Sequence, residues 1–347
     1  MMKKLTACFL VGVAILQLTA CAPKAEIRYE ATFLELFDTV TEIVGYAGDK
    51  EEFAACSQEL HDVLEEYHEL YDIYNDYDGI NNVKTINDNA GIEPVKVDER
   101  IIDLLLFSRK VYELSGGKLN IALGAVLRVW HDYREAGTDD PENAELPPME
   151  LLQEKSEHTD INKMIIDEEA STVFLEDPEM SLDVGAVAKG YATEMTARIM
   201  IKRGFDHGML SVGGNVRTIG SKDTGEAWNV GIQNPDLYSG QSNLYILKLK
   251  DYSLVTSGDY QRYYTVNGKT YHHIINPETL MPADYFRAVS IICKDSGMAD
   301  ALSTTVYNMP YEQGLALIES LPDVEALWVY QDGTMKQSSG FMNYLGQ

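Results

Sequence analysis

Asp300 and Thr304 stand four residues apart in the stretch Ser290 to Met309, SIICKDSGMADALSTTVYNM. An apolar run, Val289 to Cys293, reads as a buried strand, and Asp295 and Ser296 offer caps for a helix that follows. Residues four apart on a helix share one face, so a carboxylate and a hydroxyl would point the same way. Such a pair can hold a hard divalent cation such as Mg²⁺ if other oxygens complete the shell. The same residues also suit a plain helix start, because an acid in the first turn is favoured by the helix dipole.

Four further stretches carry polar groups at chemically useful spacing. In SLDVGAVAKGY, Ser181 to Tyr191, a strand end meets a helix start, and small residues let backbone approach a ligand. Helix amides together with Lys189 make a place for phosphate; a tight connection with an exposed lysine reads equally well. Neither GxxxxGK[ST] nor GxGxxG is present. Ser211-Val212-Gly213-Gly214-Asn215-Val216 fits close backbone approach or a simple turn. Thr256 to Tyr260 is similar, with Arg262 as a nearby cation. Finally, His272 and His273 are adjacent in Tyr271 to Thr279. In an extended segment they face opposite sides, so they form no two-histidine metal site, but one can serve a pocket as general base.

The whole chain limits what these groups can act on. Its 347 residues allow one large domain or two modest ones, and 45% hydrophobic residues suffice for a core. The net charge of -27 argues against nucleic acid as a partner. An anionic substrate must then be drawn by local features. Lys3 and Lys4 precede an apolar run, Leu5 to Leu18, too short to span a bilayer. Leu18-Thr19-Ala20-Cys21 then resembles a lipobox, with cleavage before Cys21 and lipid on its thiol. Residues 1–20 therefore read as a lipoprotein signal peptide, 21–30 as a tether and 31–342 as the folded domain. The expected location is the extracytoplasmic face of the cell membrane, held there by lipid. Of the other cysteines, Cys56 and Cys293 read as buried free thiols, with one disulfide as the alternative.

The elements that must position these groups follow from periodicity. Ala31 to Tyr46 reads as one strand. Lys50 to Tyr74 has apolar residues in steps of three and four, an amphipathic helix. Asn75 to Glu93 reads as a loop with little regular structure. Helices are expected over Asp98–Ser115, Leu119–Tyr133, Met149–Glu157, Ala188–Arg203 and Tyr311–Leu321, with Glu135 to Pro148 a surface loop. Short strands are expected at Met164–Ile166 and Thr172–Leu175. Further strands are Met209–Val212, Trp228–Ile232, Tyr245–Leu249 and Ser253–Thr256. Tyr263–Tyr271 reads as a hairpin turning at Asn267-Gly268, and Ala326–Met335 turns at Asp332-Gly333. Helices and strands mix without regular alternation, so the fold class is α+β in a single domain.

DVGAVAKGYATE, SVGGNV, VTSGDYQRYY, HHIINPETLMPA and GMADALSTTVYNM, in that order, resemble the ApbE family of FAD:protein FMN transferases. FDTVTEIVGYA near Phe37 resembles the family's first strand. The resemblance implies a T-fold-related domain of mixed helices and antiparallel strands. It implies that FAD is bound with Mg²⁺ and cleaved, and that FMN passes as a phosphoester to a Thr or Ser of an extracytoplasmic acceptor protein, releasing AMP. On the matching positions, Asp300, Thr304 and the Ala186 carbonyl would hold Mg²⁺. Asp183 and Lys189 would contact FAD, and Phe37, Tyr74, Leu119, Asn120 and Ile274 would line its ring pockets. His273 would accept the hydroxyl proton. A metal-dependent FAD pyrophosphatase and a non-catalytic FAD-binding lipoprotein use the same pocket. Several relatives have Asp where Asn276 stands and Gly where Leu280 stands.

Overall fold

The computed structural model describes residues 26–346. The stretch read as a signal peptide, and Cys21, lie outside the described residues. The chain opens with β1 (Ile27–Phe33) and β2 (Thr41–Ala47), an antiparallel pair joined through a 3-10 turn at Leu36–Asp38. The single strand expected over Ala31–Tyr46 is thus two. Phe37 and Asp38 take φ of 54° and 51°, a reversal that no glycine or proline announces. The domain also begins earlier than expected, because Ile27 to Glu30 pair with β2 rather than forming a tether.

Helix α1 (Lys50–Tyr71) buries Phe53, Leu60, Leu64, Tyr67 and Tyr71 on one stripe. Its first turn is capped by Asp49, which accepts from the Glu52 amide at 3.0 Å. Next come α2 (Val83–Asp88), β3 (Val95–Lys96) and α3 (Glu99–Leu114). Helix α2 falls where a loop was expected. There the Asn82 side chain accepts from the Thr85 amide, and the Thr85 hydroxyl accepts from the Asn82 amide. Polar residues that look like loop are in fact a reciprocal cap.

Helix α4 (Gly124–Asp139) starts five residues after Leu119 and runs on through the start of the expected surface loop. The delay has a local cause. The Asn120 side-chain oxygen accepts from the Ala122 amide at 2.9 Å, holding a turn ahead of the helix. Then follow α5 (Met149–Ser156), β4 (Met164–Asp167), β5 (Thr172–Leu175) and α6 (Ala188–Lys202). Strands β3, β5 and β4 form a small sheet.

The second half is mostly strand: β6 (Gly208–Val212), β7 (Asn215–Ile219), β8 (Trp228–Gln233), β9 (Asn243–Leu249) and β10 (Ser253–Gly258). Gly213 and Gly214, at φ of 56° and 88°, make the turn between β6 and β7. That settles the paired glycines as a turn and adds β7, which no sequence pattern marked. The hairpin β11 (Tyr263–Val266) and β12 (Lys269–His272) turns at Asn267-Gly268 as expected. The chain ends with β13 (Ala288–Cys293), α7 (Ser296–Tyr307), α8 (Tyr311–Glu319), β14 (Glu325–Val329) and β15 (Met335–Gln337).

One antiparallel sheet runs β1-β2-β6-β7-β10-β13-β14-β15. Every residue of β13 is buried, as its unbroken apolar run requires. Helices α6 and α7 pack side by side against β7, β10 and β13. The β8–β9 hairpin contributes Trp228, Val230, Leu247 and Leu249 to an apolar cluster with Leu254, Ile292 and Leu327 of the sheet. Burial in β8 alternates strictly, the mark of a strand with one face in a core. Beneath the helices, buried Glu194 accepts from Arg217 Nε at 2.9 Å, Arg198 Nε at 2.8 Å and the Ser296 amide at 3.0 Å. That carboxylate ties α6, β7 and the start of α7 together. Among the described residues no helix is long and apolar enough to cross a membrane, and both Cys56 and Cys293 are free thiols.

Candidate active site

A cleft of about 460 Å³ opens where α6, α7, β10 and the β11–β12 hairpin meet the segments around Phe37 and Tyr74. Its size is ordinary for a small-molecule site. Phe37, Tyr74, Leu119, Asn120, Asp183, Ala186, Lys189, His273, Ile274, Asp300 and Thr304 all line it. Segments scattered over most of the chain are therefore brought to one place.

The oxygen-rich corner lies at the crossing of α6 and α7. Asp295 caps α7, accepting from the Met298 amide at 2.9 Å, and this fixes the phase of the helix that carries Asp300 and Thr304. Asp300 is only 5% exposed. Its Oδ2 accepts from the Gly190 amide, in the first turn of α6, at 2.8 Å. Burial pushes the Asp300 carboxyl above its ordinary range, while the Lys189 charge, the Gly190 amide and the Asn215 side chain act the other way. The approach depends on glycine: a Cβ on Gly190 would fall 2.3 Å from Asp300 Cβ and 2.4 Å from the Ser296 carbonyl oxygen. The Thr304 hydroxyl lies 3.3 Å from Ser257 Oγ, which is 2.8 Å from Ser303 Oγ. Ala186 sits in the turn before α6. A buried carboxylate, a hydroxyl and a turn carbonyl are all hard oxygen donors, and they suit Mg²⁺ by ligand type.

The loop into α6 is held by its own polar groups. Asp183 Oδ1 accepts from the Gly185 amide at 2.8 Å, and Lys189 Nζ donates to the Gly185 carbonyl at 3.3 Å. Burial raises the Asp183 carboxyl, opposed by the Gly185 amide and then by the charges of His131, Lys189 and Arg134. No side chain of the preceding residue caps α6; the cap it has comes across from Asp300.

His272 and His273 face different surroundings, as their alternation requires. His272 Nε2 donates to the Ala283 carbonyl at 2.7 Å, its Nδ1 accepts from the Ile274 amide at 3.2 Å, and its ring packs edge-on to Tyr307. Both its nitrogens serve the fold. His273 follows the last pair of the hairpin, Tyr263 with His272, and its ring reaches the cleft. Its Nδ1 lies 3.2 Å from the Arg262 carbonyl oxygen. A carbonyl can only accept, so Nδ1 carries the proton and Nε2 keeps its lone pair. Burial, and then the charge of Arg262, push the His273 imidazole down to about 3.

The remaining positions form the walls. Phe37 sits in the reversal between β1 and β2; its amide donates to His68 Nδ1 at 3.2 Å and its ring meets the His68 ring edge at 5.4 Å. The Tyr74 and His131 rings lie 5.2 Å apart at 32°. Burial and Asp183 push the Tyr74 phenol up to about 12. Leu119 and Ile274 are buried. The Asn120 amide also donates to the Thr159 carbonyl at 2.9 Å, so most of its polar capacity holds its own loop. The two departures near His273 are accommodated. Asn276 Oδ1 accepts from the Glu278 and Thr279 amides, which an aspartate could do equally. Leu280 takes φ of 60°, the glycine-favoured region, with its side chain buried.

His68, His131 and Arg134 also line the cleft, and sequence reasoning missed them. A lone histidine on an amphipathic helix gives no signal. Only the spacing of His131 and Arg134, neighbours on one helix face with Arg134 Nη2 donating to His131 Nδ1 at 2.9 Å, could have raised them.

The sequence model of the ApbE family matches residues 37–328. A protein of Treponema pallidum (strain Nichols) named FAD:protein FMN transferase is 30% identical over 351 residues, covering 97% of this chain and 92% of its own. One of the same name from Klebsiella pneumoniae (strain 342) is 29% identical over 258 residues, covering 74% and 77%. The crystal structure of the ApbE protein from Thermotoga maritima superposes with a TM-score of 0.80 at 27% identity, covering 92% of this chain and all of its own. The flavin transferase ApbE from Vibrio cholerae shares the fold, with a TM-score of 0.75 at 22% identity over 92% of this chain and all of its own. With a family match spanning most of the chain and the same α+β fold in solved relatives, the chain belongs to the ApbE family.

Proposed function

We propose that this chain is a Mg²⁺-dependent FAD:protein FMN transferase. The observation that carries the reading is the meeting, in one cleft, of an oxygen-donor corner at Asp300 and Thr304 with a neutral imidazole at His273. Relatives that share the fold and most of the chain's length bear that name. In a protein of net charge -27, the pyrophosphate of FAD needs local compensation, and Lys189 supplies one charge.

Asp300, Thr304 and the Ala186 carbonyl would hold Mg²⁺, which would supply positive charge against the pyrophosphate. Phe37, Tyr74, Leu119 and Ile274 form apolar walls for the ring systems, and the Asn120 turn closes one side. Asp183 and Lys189 orient the loop before α6 against the substrate. His273 Nε2 takes the proton of the acceptor hydroxyl as its oxygen attacks the flavin-side phosphorus. The imidazole is ready for this because the Arg262 carbonyl fixes its tautomer and burial keeps it neutral. FMN stays on the acceptor as a phosphoester and AMP leaves. The acceptor is an extracytoplasmic protein presenting a Thr or Ser, and the lipid on Cys21 holds the enzyme at the same membrane face.

The test is incubation of the full chain with FAD and Mg²⁺, with and without an extracytoplasmic redox protein carrying a candidate Thr. Transfer leaves flavin fluorescence on the acceptor in a denaturing gel and releases an equal amount of AMP. AMP and FMN without labelled acceptor indicate hydrolysis instead. FAD recovered intact overturns both enzymatic readings and leaves flavin binding alone.

A further inference from the structure

Two guanidinium groups line the cleft without an ion pair of their own. Arg134 projects from the second half of α4, and Arg262 immediately precedes β11. Both line the cleft. Among the described residues neither makes an ion pair. Arg134 Nη2 donates to His131 Nδ1 at 2.9 Å, and the Glu135 carboxylate is 3.1 Å from the other nitrogen of that same ring. An arginine can only donate, so His131 Nδ1 accepts here, and the Glu135 carboxylate meets the ring rather than the guanidinium. Some other cations are paired: Lys118, in the same cleft, is held by Glu278 at 2.5 Å, and Arg100, Arg198 and Arg217 each sit on a carboxylate.

The pair also interacts with itself. Burial, and then the Arg262 charge, hold the Arg134 guanidinium below its ordinary value, opposed by Tyr74, Glu135 and Asp183. The same Arg262 charge reaches His273. Two like charges kept together in a cleft raise the free energy of the empty site, and an entering anion relieves them.

We propose that Arg134 and Arg262 form a two-guanidinium clamp for the phosphate of the departing adenylate. The assignment rests on the transferase reading above and names the residues that receive its leaving group. In the transfer, the acceptor oxygen bonds to the flavin-side phosphorus and the bond from that phosphorus to the bridging oxygen breaks. The bridging oxygen leaves on the adenylate, and the acceptor proton goes to His273. The adenylate phosphate thereby becomes a monoester with a charge approaching two at neutral pH. Forked guanidinium donors match a phosphate of that charge better than a point-like ammonium does. The clamp therefore favours substrates whose leaving half ends in a phosphate, and it retains AMP after transfer.

The test needs no turnover. AMP and adenosine are titrated by calorimetry into the full chain, with Arg134→Gln, Arg262→Gln and, to preserve charge and packing, Arg134→Lys and Arg262→Lys. The clamp requires that AMP bind more tightly than adenosine. Each Gln variant should weaken AMP roughly tenfold, the size of a lost charged hydrogen bond, with adenosine unchanged. The Lys variants should fall between. Equal binding of AMP and adenosine, or AMP affinity unchanged in both Gln variants, overturns the clamp. If AMP discrimination holds but no acceptor is labelled under any condition, the transferase reading fails while the adenylate site stands.

Discussion

The Arg262 carbonyl oxygen lies 3.2 Å from His273 Nδ1 and also accepts from the His273 amide at 3.1 Å. One backbone group thus sets both the position and the tautomer of the imidazole. The hairpin register, with Tyr263 opposite His272, puts these two residues face to face just beyond the last strand pair.

Replacing His273 by Ala is expected to cut transfer about 10²–10⁴-fold, the range for a lost general base, while FAD affinity changes little. Equal losses in both would reduce His273 to a binding residue. The same group gives a pH signature. Its folded value, about 3, lies below the ordinary 6.5, so between those values the unfolded chain holds the extra proton and stability rises with pH. Wild type should therefore lose more stability than His273→Ala when acidified from neutrality toward pH 4. Urea midpoints measured at both pH values decide this, and parallel losses would contradict the assignment.

Asp300→Asn should lower transfer by about 100-fold or more, since a bound metal contributes several kcal/mol that a neutral amide would not retain. Thermal melting should change little, because the amide oxygen can still accept from the Gly190 N–H. Titration of FAD with and without Mg²⁺ supplies a readout besides rate: the metal should strengthen FAD binding in wild type and not in the variant. A variant as Mg²⁺-responsive as wild type would remove Asp300 from the metal corner.

Gly190→Ala tests the helix crossing itself. The added methyl has no room between Asp300 Cβ and the Ser296 carbonyl, so α6 and α7 must part. Overpacking of this kind costs about 1–3 kcal/mol, which urea denaturation can read. Unaltered stability would show that the crossing tolerates a wider spacing.

Leu280 poses two effects of opposite sign. Its left-handed φ of 60° costs about 1–2 kcal/mol that glycine would not. Its side chain, 7% exposed, packs in a cluster with Trp130, and deleting a buried leucine costs about 2–5 kcal/mol. Burial is the larger quantity, so Leu280→Gly should destabilise. A stabilised variant in urea would mean the strain outweighs the packing.

Much of this was legible in the sequence because local chemistry and tertiary role agreed. The apolar steps of α1, the Asn267-Gly268 turn and the Asp295 cap each carry their own signal. What escaped lacked one. The reversal at Phe37 and Asp38 uses positive φ at residues that seldom adopt it. Helix α2 hides behind polar residues that cap one another, and β7 is short and follows a turn. In the cleft, the residues on motif-bearing loops could be named in advance. His131 and Arg134 could not, because a basic residue on a helix becomes part of a site only when the other walls are in place.

The bond between the Gly190 amide and the Asp300 carboxylate spans 110 residues. A nascent chain that has emerged only through α6 has the loop but not its oxygen donor, and the wide separation makes this closure a late, slow event. The order of synthesis thereby imposes an order on competence. Until α7 is complete and docked, the polypeptide has a glycine-bearing loop with a lysine but lacks Asp300 and Thr304, the residues proposed above to hold a divalent ion. On the function proposed above, an incomplete product passing through a compartment rich in dinucleotide would leave that pool untouched.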